Sequence, residues 1–222
     1  MPSYLALIPL IYVFHHYPAS WRSAKNVDAF LVRTSLTGAF SGQSDRIIDA
    51  LVKRFKDLEK FDADEGYAVI RSQNRSLEIT KERFFEMGYG SKTIHLIFNL
   101  WYPTFSHTPA YDNNLPQVDH VFPQSRLKAE KVINPDTGRH VMKYRDEVRN
   151  QLANCMLLTR TENGAGGKSD ISPADWFKDK DDDYLTLHLI PKNPDLWTID
   201  RFEDFIFERK KLIASKFSWL LV

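Results

Sequence analysis

Cysteine is nearly missing from this 222-residue sequence, with Cys155 its sole example. A lone cysteine excludes an intrachain disulfide and any zinc site built from several thiolates. Within Asn154-Cys155-Met156-Leu157-Leu158 it reads as a small buried hydrophobe. Long hydrophobic runs are scarce as well. The longest, Tyr4 to Phe14 (YLALIPLIYVF), carries Pro9 in its middle, and a bilayer-spanning helix needs about 20 apolar residues. It is therefore expected to be a buried helix and not a membrane span. No basic stretch precedes this run and no small residues follow it, so it is not expected to be a secretory signal. With no cysteine framework the expected compartment is the cytoplasm. Internal repeats and low-complexity segments are absent too.

Hydrophobic residues make up 43% of the chain and charged ones 27%, the balance of an ordinary globular protein and not of a disordered or fibrous one. The length suits one domain or two small ones with a real core. A large charge of either sign is lacking, the formal net charge being +1. The distribution is more informative: residues 117–168 carry nine Lys/Arg against six Asp/Glu, and residues 169–222 carry eight against eleven. A modest basic excess in the middle of the chain suits a site that touches a few phosphates, not a protein that coats nucleic acid.

The first hundred residues have helical periodicity. Ile47, Ile48, Leu51, Val52, Phe55 and Leu58 recur at three- and four-residue spacing in Ser44 to Phe61, behind a capping Ser44 or Asp45. Asn26 to Phe40 is a weaker helix, broken by Gly38 and Gly42. Ser91 to Trp101 is another, stopped by Pro103, with His95 expected in the core. From Ser106 to Pro116 the chain turns polar and irregular, which sets a domain boundary between residues 105 and 106. A strand is expected over Val118 to Phe122 and a second over Leu152 to Thr159. Between them lies a charged segment with a turn at Asn134 to Gly138. A helix should open at Ser172-Pro173, and an amphipathic one should run from Ile199 to Ile213. Trp101 and Trp176 read as core aromatics, and His15, His16, His107 and His188 show no partner pattern.

Asp119-His120 closes the first strand, Asn154 sits within the second, and Asn163 and Lys168 follow it. Phosphodiester cleavage needs an activated water and charge to offset the scissile phosphate and the departing oxyanion. A neutral imidazole can take the water's proton. Hard divalent cations prefer oxygen ligands, and Asp119 offers a carboxylate oxygen and Asn163 an amide oxygen. Gly167-Lys168-Ser169 after an apolar strand also suggests a phosphate-binding P-loop, but that motif needs glycine where Glu162 stands, so it is rejected. Arg126, Lys128, Lys131, Arg145, Arg149 and Arg160 are candidate phosphate contacts, although each taken singly reads first as a solvated surface charge.

VDHVFPQSRL, with NQLANCMLLTRTENGAGGKSDISPADWF, resembles the HNH (His-Me finger, ββα-metal) endonucleases, and the second segment resembles the nuclease domain that cuts the guide-paired strand in CRISPR effectors. The resemblance implies an α+β protein with a mainly helical N-terminal module (residues 1–105), then a ββα-metal nuclease core and a C-terminal helix (residues 106–222). It implies His120 as general base, Asp119 and Asn163 as metal ligands, Asn154 as the brace of the histidine loop, and Lys168 as a help in neutralising phosphate. Glu162 is an alternative or additional ligand. The implied cofactor is a divalent metal, Mg²⁺ or Mn²⁺, and the implied partner is DNA. A charged insertion from about Lys128 to Asn150, which short HNH domains lack, is cheap in closure entropy if it forms a hairpin. More loosely, IPLIYVF and FLVRTSLTGAFSGQSD are similar to the helical region before the HNH domain in bacterial phage-defence and modification-dependent restriction proteins. Those proteins usually carry a nucleotide-dependent ParB-like domain upstream, so the chain is expected to be the C-terminal part of a larger enzyme. A non-catalytic module with the same fold that holds nucleic acid or a partner, and a nuclease acting on RNA, are the alternatives.

Overall fold

A computed structural model describes residues 4–102, 116–163 and 167–222. The chain is an α+β protein with two compact units, residues 1–80 with Val222 and residues 81–221. The boundary expected between residues 105 and 106 lies outside the described residues, as does His107. Among the described residues no helix is long and apolar enough to cross a membrane.

The first unit contains α1 (Leu7–His16), α2 (Val27–Thr37), α3 (Ser44–Leu58) and α4 (Ala63–Ser72). The apolar stripe foreseen on α3 is buried through Ile47, Ile48, Leu51 and Phe55. Phe30, Phe55 and Phe61 meet there with ring centroids 5.4–5.5 Å apart. Gly38 ends α2 in the left-handed conformation at φ 66°, where a side chain would be strained. Asp62 caps α4 by accepting from the Glu65 amide. One expectation fails here: the Tyr4–Phe14 segment is not buried all round. Pro9, Leu10 and Val13 face inward, whereas Leu7, Ile8, Ile11 and Phe14 are 41–60% exposed. The run is apolar on every side, but α1 packs chiefly against α3, along one face.

The second unit opens with α5 (Lys81–Glu86) and α6 (Ile94–Trp101). His95 lies on the exposed face of α6, not in the core as its apolar neighbours suggested, because helical spacing turns it away from buried Ile94, Ile97, Phe98 and Trp101. The central sheet pairs β1 (Gln117–His120) with β4 (Cys155–Leu158) in antiparallel register, Asp119 opposite Met156 and His120 opposite Cys155. Both strands are shorter than expected, since a 3₁₀ turn occupies Leu152–Asn154 and β1 ends at His120. Between them run α7 (Gln124–Ala129), a ribbon of β2 (Lys131–Ile133) with β3 (His140–Met142), and α8 (Asp146–Asn150). After β4 come α9 (Arg160–Asn163), α10 (Pro173–Phe177) and the long α11 (Phe202–Lys216).

Every residue of β4 is buried, and α11 covers this region with Phe202, Phe205 and a fully buried Arg209. The Arg209 guanidinium donates to the carbonyls of Ala153, Cys155, His188 and Leu189 and lies over the Trp101 ring. Burial pulls its pKa down to about 10, so it stays charged at neutral pH. Trp101 is buried as expected, whereas Trp176 is half-buried. His188 is buried beside the Tyr102 hydroxyl, 2.9 Å from its Nδ1.

Candidate active site

The β1–β4 pair, α9 and the loop after it converge on an open cleft of about 400 Å³. Tyr89, Asp119, His120, Gln124, Asn163 and Asp170 are among its walls. Three of the residues singled out from sequence, Asp119, His120 and Asn163, therefore share one surface. Asn154 and Lys168 lie behind it, fully buried.

Asn154 supports the turn that follows His120. Its Oδ1 accepts from the Phe122 amide at 2.9 Å, and its Nδ2 donates to the Arg149 carbonyl at 2.8 Å and to the Phe122 carbonyl at 3.3 Å. Its own carbonyl accepts from the Val121 amide at 2.7 Å. A buried side-chain amide with its hydrogen-bonding capacity used in this way fixes the two backbone segments that flank it.

His120 is nearly buried, with Tyr89 against its ring at 4.4 Å between centroids. Its Nε2 lies 3.0 Å from Asn150 Oδ1 and 3.1 Å from Gln124 Nε2, while Gln124 Nε2 donates to Asn150 Oδ1 at 2.7 Å. These three atoms form a triangle around one acceptor. The arrangement that opposes no lone pairs has His120 Nε2–H and Gln124 both donating to Asn150 Oδ1. That tautomer leaves Nδ1 as the basic nitrogen, and Nδ1 has no hydrogen-bond partner among the described residues. Burial, aided by the Lys168 and Arg149 charges, pushes the imidazole below its ordinary pKa against the opposing effects of the Asn150 hydrogen bond and of Asp119, and so favours the neutral ring. Gly88 and Tyr89 lock the far side. The Tyr89 amide donates to the Asn150 carbonyl at 2.7 Å, and a side chain on Gly88 would collide with the Asn150–Leu152 backbone.

Asp119 is mostly buried, and its Oδ2 turns inward to pair with Lys168 Nζ at 3.1 Å. Lys168 also donates to the His120 carbonyl. Its ammonium is fully buried, so the role foreseen for it in neutralising phosphate is corrected: it faces Asp119 and the backbone of His120 and does not line the cleft. Asn163 Nδ2 donates to Gln117 Oε1 at 2.9 Å, which commits its amino group and leaves Oδ1 for another partner. Glu162 is engaged otherwise. Its carboxylate accepts from the amide and hydroxyl of Thr159, whose Oγ1 accepts from the Glu162 amide, making a capping arrangement that starts α9.

The Asp119 carboxylate, through the oxygen not turned to Lys168, and the Asn163 amide oxygen share one cleft and are donors of the kind a hard cation takes. Among the described residues no three His, Cys, Asp or Glu side chains cluster, so the donors fit a cation that keeps much of its water.

The basic residues separate into two groups. Arg126, Lys128, Lys131, Arg145 and Arg160 are exposed, and Arg126 Nε donates to the Asp170 carbonyl at 2.8 Å. Arg149 is corrected: it is 2% exposed, donating to the Tyr144 carbonyl and pairing with Asp146, and is part of the interior. Tyr89, Gln124, Asn150 and Asp170 escaped the sequence reading. Gln124, Asn150 and Asp170 lie within the two segments that carry the resemblance, but their residue types gave no reason to single them out. Tyr89 comes from a segment remote from both.

No curated relative matches the sequence. The family model for the C-terminal domain of the GmrSD restriction endonucleases matches residues 74–216, more than half of the chain and the whole of this site, and the chain belongs to that family.

Proposed function

We propose that the protein is a metal-dependent HNH endonuclease that nicks DNA, one strand per site, in bacterial restriction or defence against phage. The observation that carries this reading is the shared cleft of Asp119, His120 and Asn163, with Asn154 behind it fixing the histidine's turn. His120 accepts the proton of the attacking water at Nδ1, because Asn150 holds the Nε2 proton. Asn154 holds the turn that follows His120, and so the direction in which the imidazole projects. Lys168 neutralises part of the Asp119 charge from beneath and ties it to the His120 backbone. Asp119 and Asn163 would hold a divalent cation, Mg²⁺ or Mn²⁺, which would supply positive charge for the scissile phosphate and the departing oxyanion. In this reading the chain works in the cytoplasm as the C-terminal part of a larger enzyme, with a nucleotide-dependent ParB-like domain upstream.

Supercoiled plasmid is the direct test. Incubation with Mg²⁺ or Mn²⁺ should yield nicked circles that EDTA prevents and that the Asp119→Ala/His120→Ala double variant does not produce. Folded wild-type protein that leaves plasmid intact with both metals, and binds neither by calorimetry, would refute the nuclease reading in favour of a binding module.

A further inference from the structure

Among the described residues, the ribbon between the two halves of the site meets the rest of the protein at its base, where Met142 Sδ accepts from Arg149 at 3.6 Å, and is otherwise exposed. All six ladder residues of β2 and β3 are exposed, and the register sets Lys131 opposite Met142, Val132 opposite Val141 and Ile133 opposite His140. Side chains alternate across the ladder, so Val132 and Val141 occupy one face while Ile133 and Met142 occupy the other. Both faces stay largely open: Ile133 is 63% exposed and Met142 46%. An isolated two-stranded ribbon is marginally stable in water, yet this one is firmly built. Lys143 donates to the Glu130 carbonyl and Asn134 to that of Arg139 at its two ends, and Asn134 Oδ1 accepts from Asp136 and Thr137 to stiffen the tip.

We infer that this ribbon is a DNA-reading element that enters the major groove of a B-form duplex beside the scissile phosphate, an inference that rests on the nuclease reading and narrows its substrate to double-stranded DNA. Charge complementarity is the first argument. Residues 128–145 carry five Lys/Arg (Lys128, Lys131, Arg139, Lys143, Arg145) against Glu130 and Asp136, a surplus suited to phosphates on both sides of a groove. Shape is the second. A two-stranded ribbon fits the roughly 12 Å major groove of B-DNA, where aliphatic side chains meet thymine methyl groups and base edges. The major groove of A-form RNA is too narrow for side chains to read. Position is the third. The ribbon leaves the cleft through α7, which begins at Gln124, and returns through α8, which ends at Asn150, and these two residues are hydrogen-bonded to each other beside His120. The intervening helix and strand limit the reach from Gln124 to the tip to about 30 Å. The bases read therefore lie within one helical turn, about 34 Å, of the cut.

The test uses the full chain in a His120→Ala background, so that binding is measured without cutting. Fluorescence anisotropy with a labelled 30-base-pair DNA duplex and an RNA duplex of the same sequence, across a salt series, should show DNA bound at least tenfold more tightly. Lys131→Gln/Arg139→Gln should weaken DNA binding at least tenfold at about 0.1 M salt and lower the slope of log affinity against log salt by about two. Ile133→Ser/Met142→Ser should weaken it without changing that slope. Thermal unfolding midpoints equal to the parent's would place both effects on the surface. Duplex binding unchanged in both folded variants would overturn the inference, and loss of self-association in those same variants would identify a second protein copy as what the ribbon meets. Plasmid nicking by the ribbon variants with His120 intact separates the two readings. Undiminished metal-dependent nicking with unchanged binding fails the ribbon alone, whereas ribbon-dependent DNA binding by a protein that never cuts fails the nuclease and leaves the ribbon standing.

Discussion

At the scale of single residues, the informative side chains are those that organise the histidine. Asp119, His120, Asn154 and Asn163 could be picked out because their order along the chain matches a family pattern, and Asp119, His120 and Asn163 lie on one cleft. Asn150 could not. It contributes one acceptor from a position thirty residues away, and nothing in its local sequence reveals that contact. Its effect is open to measurement. Asn150→Ala should mix the two neutral imidazole tautomers in the ¹⁵N spectrum of His120 and lower kcat tenfold or more with little change in KM, whereas Asn150→Asp keeps an acceptor and should hold the tautomer. A single unchanged tautomer in the alanine variant would mean that Asn150 does not set it. The lysine is a second case of the same limit. Gly167-Lys168 looks like an exposed, phosphate-seeking loop, but Lys168 turns inward because Asp119 and the His120 carbonyl wait there.

At the scale of elements, the strands, the long helices and the central turn were legible, since periodicity and Pro/Gly punctuation report them directly. Ends were less so. The start of the second expected strand is a 3₁₀ turn that lets Asn154 reach Phe122, a demand of the tertiary structure that local preference does not contain. The short helix α9 is fixed from both sides, by the Thr159–Glu162 cap at its start and by Gly167 after it. A side chain at Gly167 would collide with the carbonyls of Thr161 and Glu162, and the Lys168 amide donates to that same Glu162 oxygen at 2.6 Å. Gly167→Ala should therefore cost about 2–4 kcal/mol, read by chemical denaturation, and should lower nicking further than the stability loss explains, because the loop carries Lys168 and Asp170. A variant as stable and active as the parent would show that the loop relaxes freely.

At the scale of the whole molecule, the α+β class and the helical character of the first half were readable, but the distribution of burial was not. The segment Tyr4–Phe14 is apolar throughout and yet half exposed, because burial depends on how many faces meet a neighbour, which composition does not record. Arg209 is the converse: a charged residue in an amphipathic-looking helix that becomes the interior tie between α11, β4 and the His188–Leu189 turn. Arg209→Leu leaves several buried carbonyls without donors, each costing about 1–3 kcal/mol. It should lower stability by about 3 kcal/mol or more, measured as a shift in the denaturation midpoint, and a shift under about 1 kcal/mol would mean that water or a neighbour replaces those bonds.

Gln124 and Asn150 grip each other at the point where the ribbon leaves and rejoins the body of the second unit. Beyond that clasp Leu127, Tyr144 and Arg149 remain anchored in the interior, so it is the outer ribbon that can lengthen, shorten or change its surface without passing strain to the imidazole. The histidine and the ribbon are thus separated by an anchored layer within one continuous chain, and the ribbon can be exchanged like an attachment while the mount that bears it stays the same.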